Sequence, residues 1–217
     1  MKEIHWYYAL GYLAQSMFGA RQLVQLFQSE KQRKVVSPTL FWQLSLVGSL
    51  LTLIYGILLN SLVVVLGQIL SYFIYVRNLQ LKLYWQTLPR PVRVFLLLLP
   101  FMIVAWSIWQ NKDTTHSLLT TTDFTDAIIL IGTAGQLMLN LRFIYQWYYS
   151  EKQKVSTLPL GFWIISATAS LLNIPFALYV TETKVVDLVL LTSSSLGLMV
   201  YLRNIYLHFK SRSNSKS

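Results

Sequence analysis

Residues Arg21–Trp42 read RQLVQLFQSEKQRKVVSPTLFW, and Arg142–Trp163 read RFIYQWYYSEKQKVSTLPLGFW. Each stretch sets an arginine among apolar residues, passes through the same SEKQ tetrapeptide and ends on a Phe-Trp pair. The offset is 121 residues, and at that offset Gly11–Thr52 aligns with Gly132–Asn173 without a gap. Sixteen of these 42 pairs are identical, among them Gly11, Gln15, Arg21, Gln25, Ser29, Glu30, Lys31, Pro38, Phe41, Trp42, Ser45 and Ser49. Shared apolar composition matches leucines by accident, but not Arg, Gln, Glu, Lys and Pro. After a five-residue insertion, Tyr75, Arg77 and Asn78 match Tyr201, Arg203 and Asn204. The chain carries an internal duplication of a three-helix unit.

The setting of that unit follows from composition. Of 217 residues, 54% are hydrophobic and 12% charged, against roughly 25% charged in an ordinary soluble domain. Several almost uncharged runs are long enough to span a bilayer as helices. The expected fold is all-α integral membrane, with spans near 6–27, 39–59, 61–80, 92–109, 126–148, 159–180 and 185–207. The first run holds Arg21 and several glutamines and lacks a small-x-small site, unlike a cleaved signal peptide. Ser37-Pro38 fits an N-cap followed by proline at the first helical position, and Pro159 sits at the matching place. Asn60 and its neighbours alone separate the second and third spans, which predicts a tight antiparallel hairpin.

The basic residues orient this layout. Thirteen of the 18 fall on one side, in the loops at 28–38, 81–93 and 149–158, at the helix ends beside them (Arg77 among these) and in the tail leading to 217. Only Lys2, Lys112 and Lys184 fall on the other, and Arg21 and Arg142 lie within spans. The asymmetry predicts a periplasmic N-terminus and a cytoplasmic C-terminus. A net charge of +10 is then a cytoplasmic-loop signature, with no nucleic acid implied. Trp6-Tyr7-Tyr8 and Trp106/Trp109 are expected at the outer interface, and Phe41-Trp42, Tyr84-Trp85 and Trp147-Tyr148-Tyr149 at the inner one. Three helices per copy is odd, so directly joined copies would be inverted, and the span at 92–109 restores the direction. The predicted architecture is seven transmembrane helices in a 3+1+3 order: 1–81 as the first three-helix bundle, 82–125 as linker helix and outer loop, and 126–217 as a second, parallel bundle.

The arginines are the candidate site. With Arg21 at 0° on a helix of 100° per residue, Gln28, Gln25, Ser29, Gln22 and Gln15 share an arc of about 140°. Arg142 is joined in the same way by Gln146, Ser150, Gln136 and Asn140. Lipid cannot satisfy such a face, so both are expected to point into a bundle or watery cavity. An unpaired arginine at this depth costs at least about 2.5–3.5 kcal/mol, and no Asp or Glu occupies the middle of any span. One reading supplies the missing anion from outside, as a phosphate on the guanidinium fork with Gln15, Gln25 and Gln68 donating to sugar or phosphate oxygens. The other has each arginine bond carbonyls, glutamines and water to lock the repeats together.

Secondary candidates sit at the cytoplasmic ends. Arg77-Asn78 and Arg203-Asn204 fit helix-dipole compensation and snorkelling as well as ligand binding. Glu30, Lys31, Glu151 and Lys152 of the SEKQ motifs suit Glu–Lys contacts as well as a substrate role. Catalysis finds little support: His5, His116 and His208 are scattered, and no nucleophile elbow, zinc spacing or phosphate-cradling glycine loop is present. His116 with Asp123 and Asp126 reads as a solvated outer loop before a metal site. The absence of cysteine excludes disulfides and thiolate sites. No cofactor is expected.

The doubled pattern Gly-x3-Gln, Arg-x3-Gln-x3-Ser-Glu-Lys, Pro-x2-Phe-Trp and Ser-x3-Ser-Leu, followed by Gly67-Gln68 and Tyr75-x-Arg77-Asn78, resembles the lipid A biosynthesis N-terminal domain family (LAB_N). The likeness covers about 11–81 and 132–207, one family unit in each copy, and departs where Ser193-Ser194 replaces Gly67-Gln68. It implies work with lipid A or other lipid-linked sugars in a Gram-negative inner membrane. It does not imply synthase activity, because no glycosyltransferase domain accompanies it. The 3+1+3 plan also looks like the SWEET and PQ-loop transporters, by topology alone and without a Pro-Gln dipeptide. Two functions follow as expectations. One is a carrier or flippase for a phosphorylated glycolipid, either a lipid A precursor or a polyprenyl-phosphate sugar. The other is a non-transporting partner that presents membrane lipid to a glycosyltransferase.

Overall fold

The protein is seen in a computed structural model, which describes residues 7–58, 62–110, 127–178 and 188–214. Asn60, Trp6, His5, His116, Asp123 and Asp126 lie outside the described residues, as do the side chains of Tyr7, Tyr8 and Gln136. The described residues are helical almost throughout, and no strand occurs among them. The helices are α1 (Tyr7–Gln32), α2 (Thr39–Leu58), α3 (Leu62–Leu81), α4 (Tyr84–Thr87), α5 (Arg90–Gln110), α6 (Ala127–Gln153), α7 (Leu160–Leu178) and α8 (Leu188–Asn214). Among these, α2, the Arg90–Trp109 part of α5, and α7 are long and apolar enough to cross a membrane. Polar residues such as Arg21, Gln25, Arg142 and Gln146 dilute the apolar character of α1 and α6.

Both SEKQ motifs prove to be the last helical turn, not loop. The sequence placed the ends near 27 and 148, but α1 and α6 run on to Gln32 and Gln153. They stop because Arg33 (φ 53°) and Lys154 (φ 55°) enter the left-handed region. Arg33 N–H donates to the Glu30 carbonyl at 3.1 Å and Lys34 N–H to that of Ser29 at 3.2 Å. Lys154 and Val155 repeat the pair on Glu151 and Ser150 at 3.3 and 3.2 Å. This is a Schellman end with a basic residue where glycine is usual. The chain restarts at once, with α2 and α7 beginning directly after Pro38 and Pro159.

The chain divides into two compact units, Met1–Arg21 with Thr39–Thr122, and Gln22–Pro38 with Asp123–Ser217. In the first, α2 packs along α3, and a glycine lets an aromatic ring in: a Cβ on Gly11 would meet the Tyr55 ring at 3.2 Å. Residues 121 further on, a Cβ on Gly132 would collide with the Phe176 ring, so the duplication copied a close helix approach together with its aromatic partner. Helix α5 is tied to α3 by Phe73 on Phe101, with ring centroids 5.6 Å apart. The Tyr72 hydroxyl also donates to the Leu96 carbonyl at 2.7 Å. Pro100 lies inside α5 and has no N–H to give Leu96, so Tyr72 supplies the missing donor. The outer faces of α5 stay open at Phe95, Leu98, Phe101, Trp106 and Trp109.

In the second unit α7 packs against both α6 and α8. The segment 22–38 belongs here because its polar side chains find their partners on α8, as described below. One interfacial assignment needs correcting. Trp106, Trp109, Trp147 and Tyr148 are exposed as expected of a belt, but Phe41, Trp42 and Trp85 are buried. Trp42 lies 6.0 Å from Tyr75, and its counterpart Trp163 lies 6.1 Å from Tyr201. These rings are core, because the neighbouring helix offers a tyrosine to pack on.

Candidate functional site

Each unit encloses one arginine in a cage built the same way. Arg21, 4% exposed, donates through Nη1 to Ser45 Oγ at 2.8 Å and to the Tyr75 hydroxyl at 3.2 Å. Arg142, 6% exposed, donates through Nη1 to Ser166 Oγ at 2.9 Å and to the Tyr201 hydroxyl at 3.0 Å. Each serine passes its own proton back along its helix, Ser45 to the Phe41 carbonyl at 2.6 Å and Ser166 to that of Phe162 at 2.5 Å. Among the described residues three rings lie around each guanidinium, two of them counterparts in the repeat and the third, Phe18 or Phe143, from unmatched positions. Phe18, Phe41 and Tyr75 lie 4.5, 5.2 and 5.7 Å from Arg21 Cζ. Phe143, Phe162 and Tyr201 lie 4.8, 5.2 and 5.5 Å from Arg142 Cζ. Desolvated cation–π contacts of this kind contribute about 0.5–2 kcal/mol each.

No carboxylate forms an ion pair with Arg142 among the described residues. Its Nε is buried and has no hydrogen-bond partner among them. A guanidinium has five donors, and hydroxyls and π faces hold its charge without neutralising it. Ser45, Ser166, Tyr75 and Tyr201 are the partners that sequence reasoning did not assign. The signal was present, since all four are retained in both copies beside the arginines.

The glutamines do a different job. Gln25 Nε2 donates to Ser29 Oγ at 2.9 Å and to Asn204 Oδ1 at 2.7 Å, and its Oε1 accepts from Asn204 Nδ2 at 3.1 Å. Gln146 Nε2 donates to Ser150 Oγ at 2.7 Å and to the Thr157 carbonyl at 2.8 Å. Ser29 and Ser150 accept in turn from the backbone N–H of Val36 and Thr157, each at 3.1 Å. The Gln-x3-Ser half of the repeat is thus a clamp that folds the following loop onto the helix end.

The remaining candidates scatter. Gln15 is exposed, as is Gln28, so the polar arc of α1 is buried only over Arg21, Gln25 and Ser29. Asn140 is half-buried, and Gln68 buries an Oε1 that has no hydrogen-bond partner among the described residues. Glu30 takes a two-point contact from Arg203, with Nε on Oε1 and Nη2 on Oε2 at 2.9 Å. Arg203 thereby holds the Glu30 carboxyl below its ordinary range. Glu151 meets Lys154 at 2.9 Å, while Lys31 and Lys152 are exposed. Arg77 donates to Gln80 Oε1 at 3.0 Å, and Asn78 and Asn204 each donate 2.9 Å to the carbonyl four residues back. Among the described residues no three His, Asp or Glu gather as metal ligands.

Comparison with known proteins shows the family. Residues 10–80 and 131–206 both match the family described as Lipid A Biosynthesis N-terminal domain. The chain is similar to the lipid-A-disaccharide synthase of Chlamydia pneumoniae, 27% identical over 214 residues that cover 94% of this chain and 33% of that protein. It is similar also to the lipid-A-disaccharide synthase of Chlamydia trachomatis serovar D, 30% identical over 174 residues, 73% of this chain and 28% of that one. The chain spans about a third of the length of the curated relatives it matches. No solved structure matches it significantly.

Proposed function

Because the chain belongs to the Lipid A Biosynthesis N-terminal domain family, we propose that it binds the phosphorylated head of a lipid-linked sugar in lipid A or envelope-glycan assembly and carries it across the bacterial inner membrane. In this reading the chain has seven spans in the 3+1+3 order, with a periplasmic N-terminus and a cytoplasmic C-terminus. The phosphate engages Arg142, and Arg21 in the matching cage. One observation carries the proposal: Arg142 is buried, is held by hydroxyls and aromatic rings, and has at Nε a donor with no hydrogen-bond partner among the described residues. A lipid phosphate supplies the charge that this environment lacks.

A second reading is favoured by the comparison. In the matched lipid-A-disaccharide synthases the similar segment is about a third of a longer protein. A unit of this kind suits a membrane partner that presents lipid to a glycosyltransferase without moving it.

Mass spectrometry of lipids retained on gently purified protein tests both readings, comparing wild type with Arg21→Ala/Arg142→Ala and Arg21→Lys/Arg142→Lys. Circular dichroism establishes that the variants are folded. A phosphorylated glycolipid held by wild type and lost from folded variants supports the binding site. Bulk phospholipid on every protein makes the arginines structural. With binding established, assay in reconstituted vesicles separates translocation from presentation.

A further inference from the structure

The two repeats part company on one face of their middle helices. On α7, Trp163, Ser166, Ser170 and Asn173 fall within an arc of about 80°, and all four are buried. The matching α2 residues are Trp42, Ser45, Ser49 and Thr52. The first repeat closes this seam on itself, with Ser49 donating to the Leu46 carbonyl at 2.8 Å and Thr52 to that of Gly48 at 2.9 Å. The second repeat leaves it open. Asn173 is fully buried, and neither its Nδ2 nor its Oδ1 has a hydrogen-bond partner among the described residues. Trp163 Nε1 and Arg142 Nε share that condition.

Space has been made for the amide. A Cβ on Gly135 of α6 would collide with Asn173 Oδ1, and the first repeat has Ala14 at that place. Glycine and asparagine thus stand where the first repeat has alanine and threonine, with an amide that has no hydrogen-bond partner among the described residues in place of a self-satisfied hydroxyl. A buried amide without partners costs free energy, so the exchange works against stability. Such groups call for an explanation in a ligand or in water.

We propose that Asn173 is the hydroxyl-reading group of a phosphosugar site inside the second unit, and that only this repeat is built to bind the sugar. The inference rests on the anion reading of Arg142 and adds the class of molecule attached to the anion. Ser166, which holds Arg142, lies seven residues from Asn173, about 10 Å along α7. With the phosphate at Arg142 Nε, a sugar hydroxyl reaches Asn173, donating to Oδ1 while accepting from Nδ2. The Trp163 Nε1–H offers a further donor on the same face.

The test is thermal unfolding of the full chain in detergent with three probes: inorganic phosphate, glucose 1-phosphate and a polyprenyl-phosphate glucose. Asn173→Thr installs the residue that the first repeat carries at this place. Expected is a wild type that prefers a sugar phosphate to inorganic phosphate by about tenfold or more. Asn173→Thr should melt above wild type without probe, keep its response to inorganic phosphate and lose the sugar preference. Arg142→Lys should weaken the response to all three and lose the sugar preference, leaving at most the phosphate response of the Arg21 cage. A preference confined to the polyprenyl probe assigns a lipid-linked source, and one shared by glucose 1-phosphate assigns the phosphosugar itself. If Asn173→Thr keeps the full preference, or melts lower with its ligand response unchanged, the Asn173 assignment falls and the Arg142 anion site stands. If wild type responds to none of the probes, both fall.

Discussion

Arg142 donates through Nη1 to the Tyr201 hydroxyl at 3.0 Å, and that hydroxyl accepts a second donor, Gln22 Nε2, also at 3.0 Å. One phenolic oxygen therefore anchors a buried cation and an amide from a different helix. Tyr201→Phe keeps the ring beside Arg142 and removes the acceptor from both donors. The expected loss is about 1.5–3 kcal/mol, the range for hydrogen bonds to charged groups, read as a lowered thermal midpoint in detergent. Tyr201→Leu should cost more, because the cation–π face goes as well. Equal effects of the two variants would make the hydroxyl irrelevant.

Gln25 and Asn204 pair amide to amide, with Nε2 on Oδ1 at 2.7 Å and Nδ2 on Oε1 at 3.1 Å, both side chains fully buried. Asn204→Leu fills the space and leaves two Gln25 atoms without these partners. Removing one side of a buried pair costs about 1–3 kcal/mol, whereas the double variant Gln25→Leu/Asn204→Leu should recover part of it. A double-mutant cycle on unfolding midpoints measures the coupling. Additive losses would show that the amides do not act as a pair.

How far these contacts could be read from the residues alone differs case by case. The duplication was plain, because identical polar residues at one offset do not arise from apolar composition. The faces around Arg21 and Arg142 were readable as arcs, since helical period is a property of one helix. Which groups on other helices meet those arcs is not, and so Ser45, Tyr75, Ser166 and Tyr201 went unassigned. Phe41 and Trp42 were misplaced to the interface because an aromatic pair beside a basic loop has the composition of a belt. Only a facing tyrosine makes it core. Asn173 opposite Thr52 stood in the alignment as a plain mismatch, and its burial without a hydrogen-bond partner among the described residues is visible only in the packing.

The two Schellman ends yield a stabilising prediction. Arg33 and Lys154 hold φ values of 53° and 55°, a region that costs a residue with a Cβ about 1–2 kcal/mol. Glycine avoids that cost at an entropic loss of about 0.5–1 kcal/mol. Arg33→Gly and Lys154→Gly should each raise stability by about 0.5–1 kcal/mol, seen as a higher thermal midpoint. Arg33→Val, β-branched in the same conformation, should lower it. A fall with glycine would mean that the basic side chains themselves hold the helix ends.

The contact of Arg203 with Glu30 makes stability depend on pH. Arg203's hydrogen bonds hold the Glu30 carboxyl below its ordinary 4.5, partial burial works the other way, and the charges of Arg203 and Lys210 lower it further. A depressed carboxyl contributes stability that is complete above its unfolded value and is lost as pH falls through the folded one. Wild type should therefore lose thermal stability between about pH 5 and 3 by more than Glu30→Gln does. Both groups are partly exposed, so about 1 M salt should shrink the difference. Identical pH profiles for the two proteins would remove Glu30 from the stabilising set.

Tyr72 and Pro100 form a conditional pair. Pro100 deprives the Leu96 carbonyl of its helical donor, and the Tyr72 hydroxyl takes that place at 2.7 Å. Tyr72→Phe should destabilise by about 1 kcal/mol, since the carbonyl loses this donor. Pro100→Ala restores an N–H four residues on, so Leu96 gains a donor within α5 and the hydroxyl becomes dispensable. Tyr72→Phe made in the Pro100→Ala background should then cost a few tenths of a kcal/mol at most. If Tyr72→Phe costs as much with alanine at 100 as with proline, the hydroxyl serves some other purpose than replacing the missing N–H. A cost that vanishes makes the proline and the tyrosine one device, with α5 fastened to α3 by the bond its own backbone cannot make.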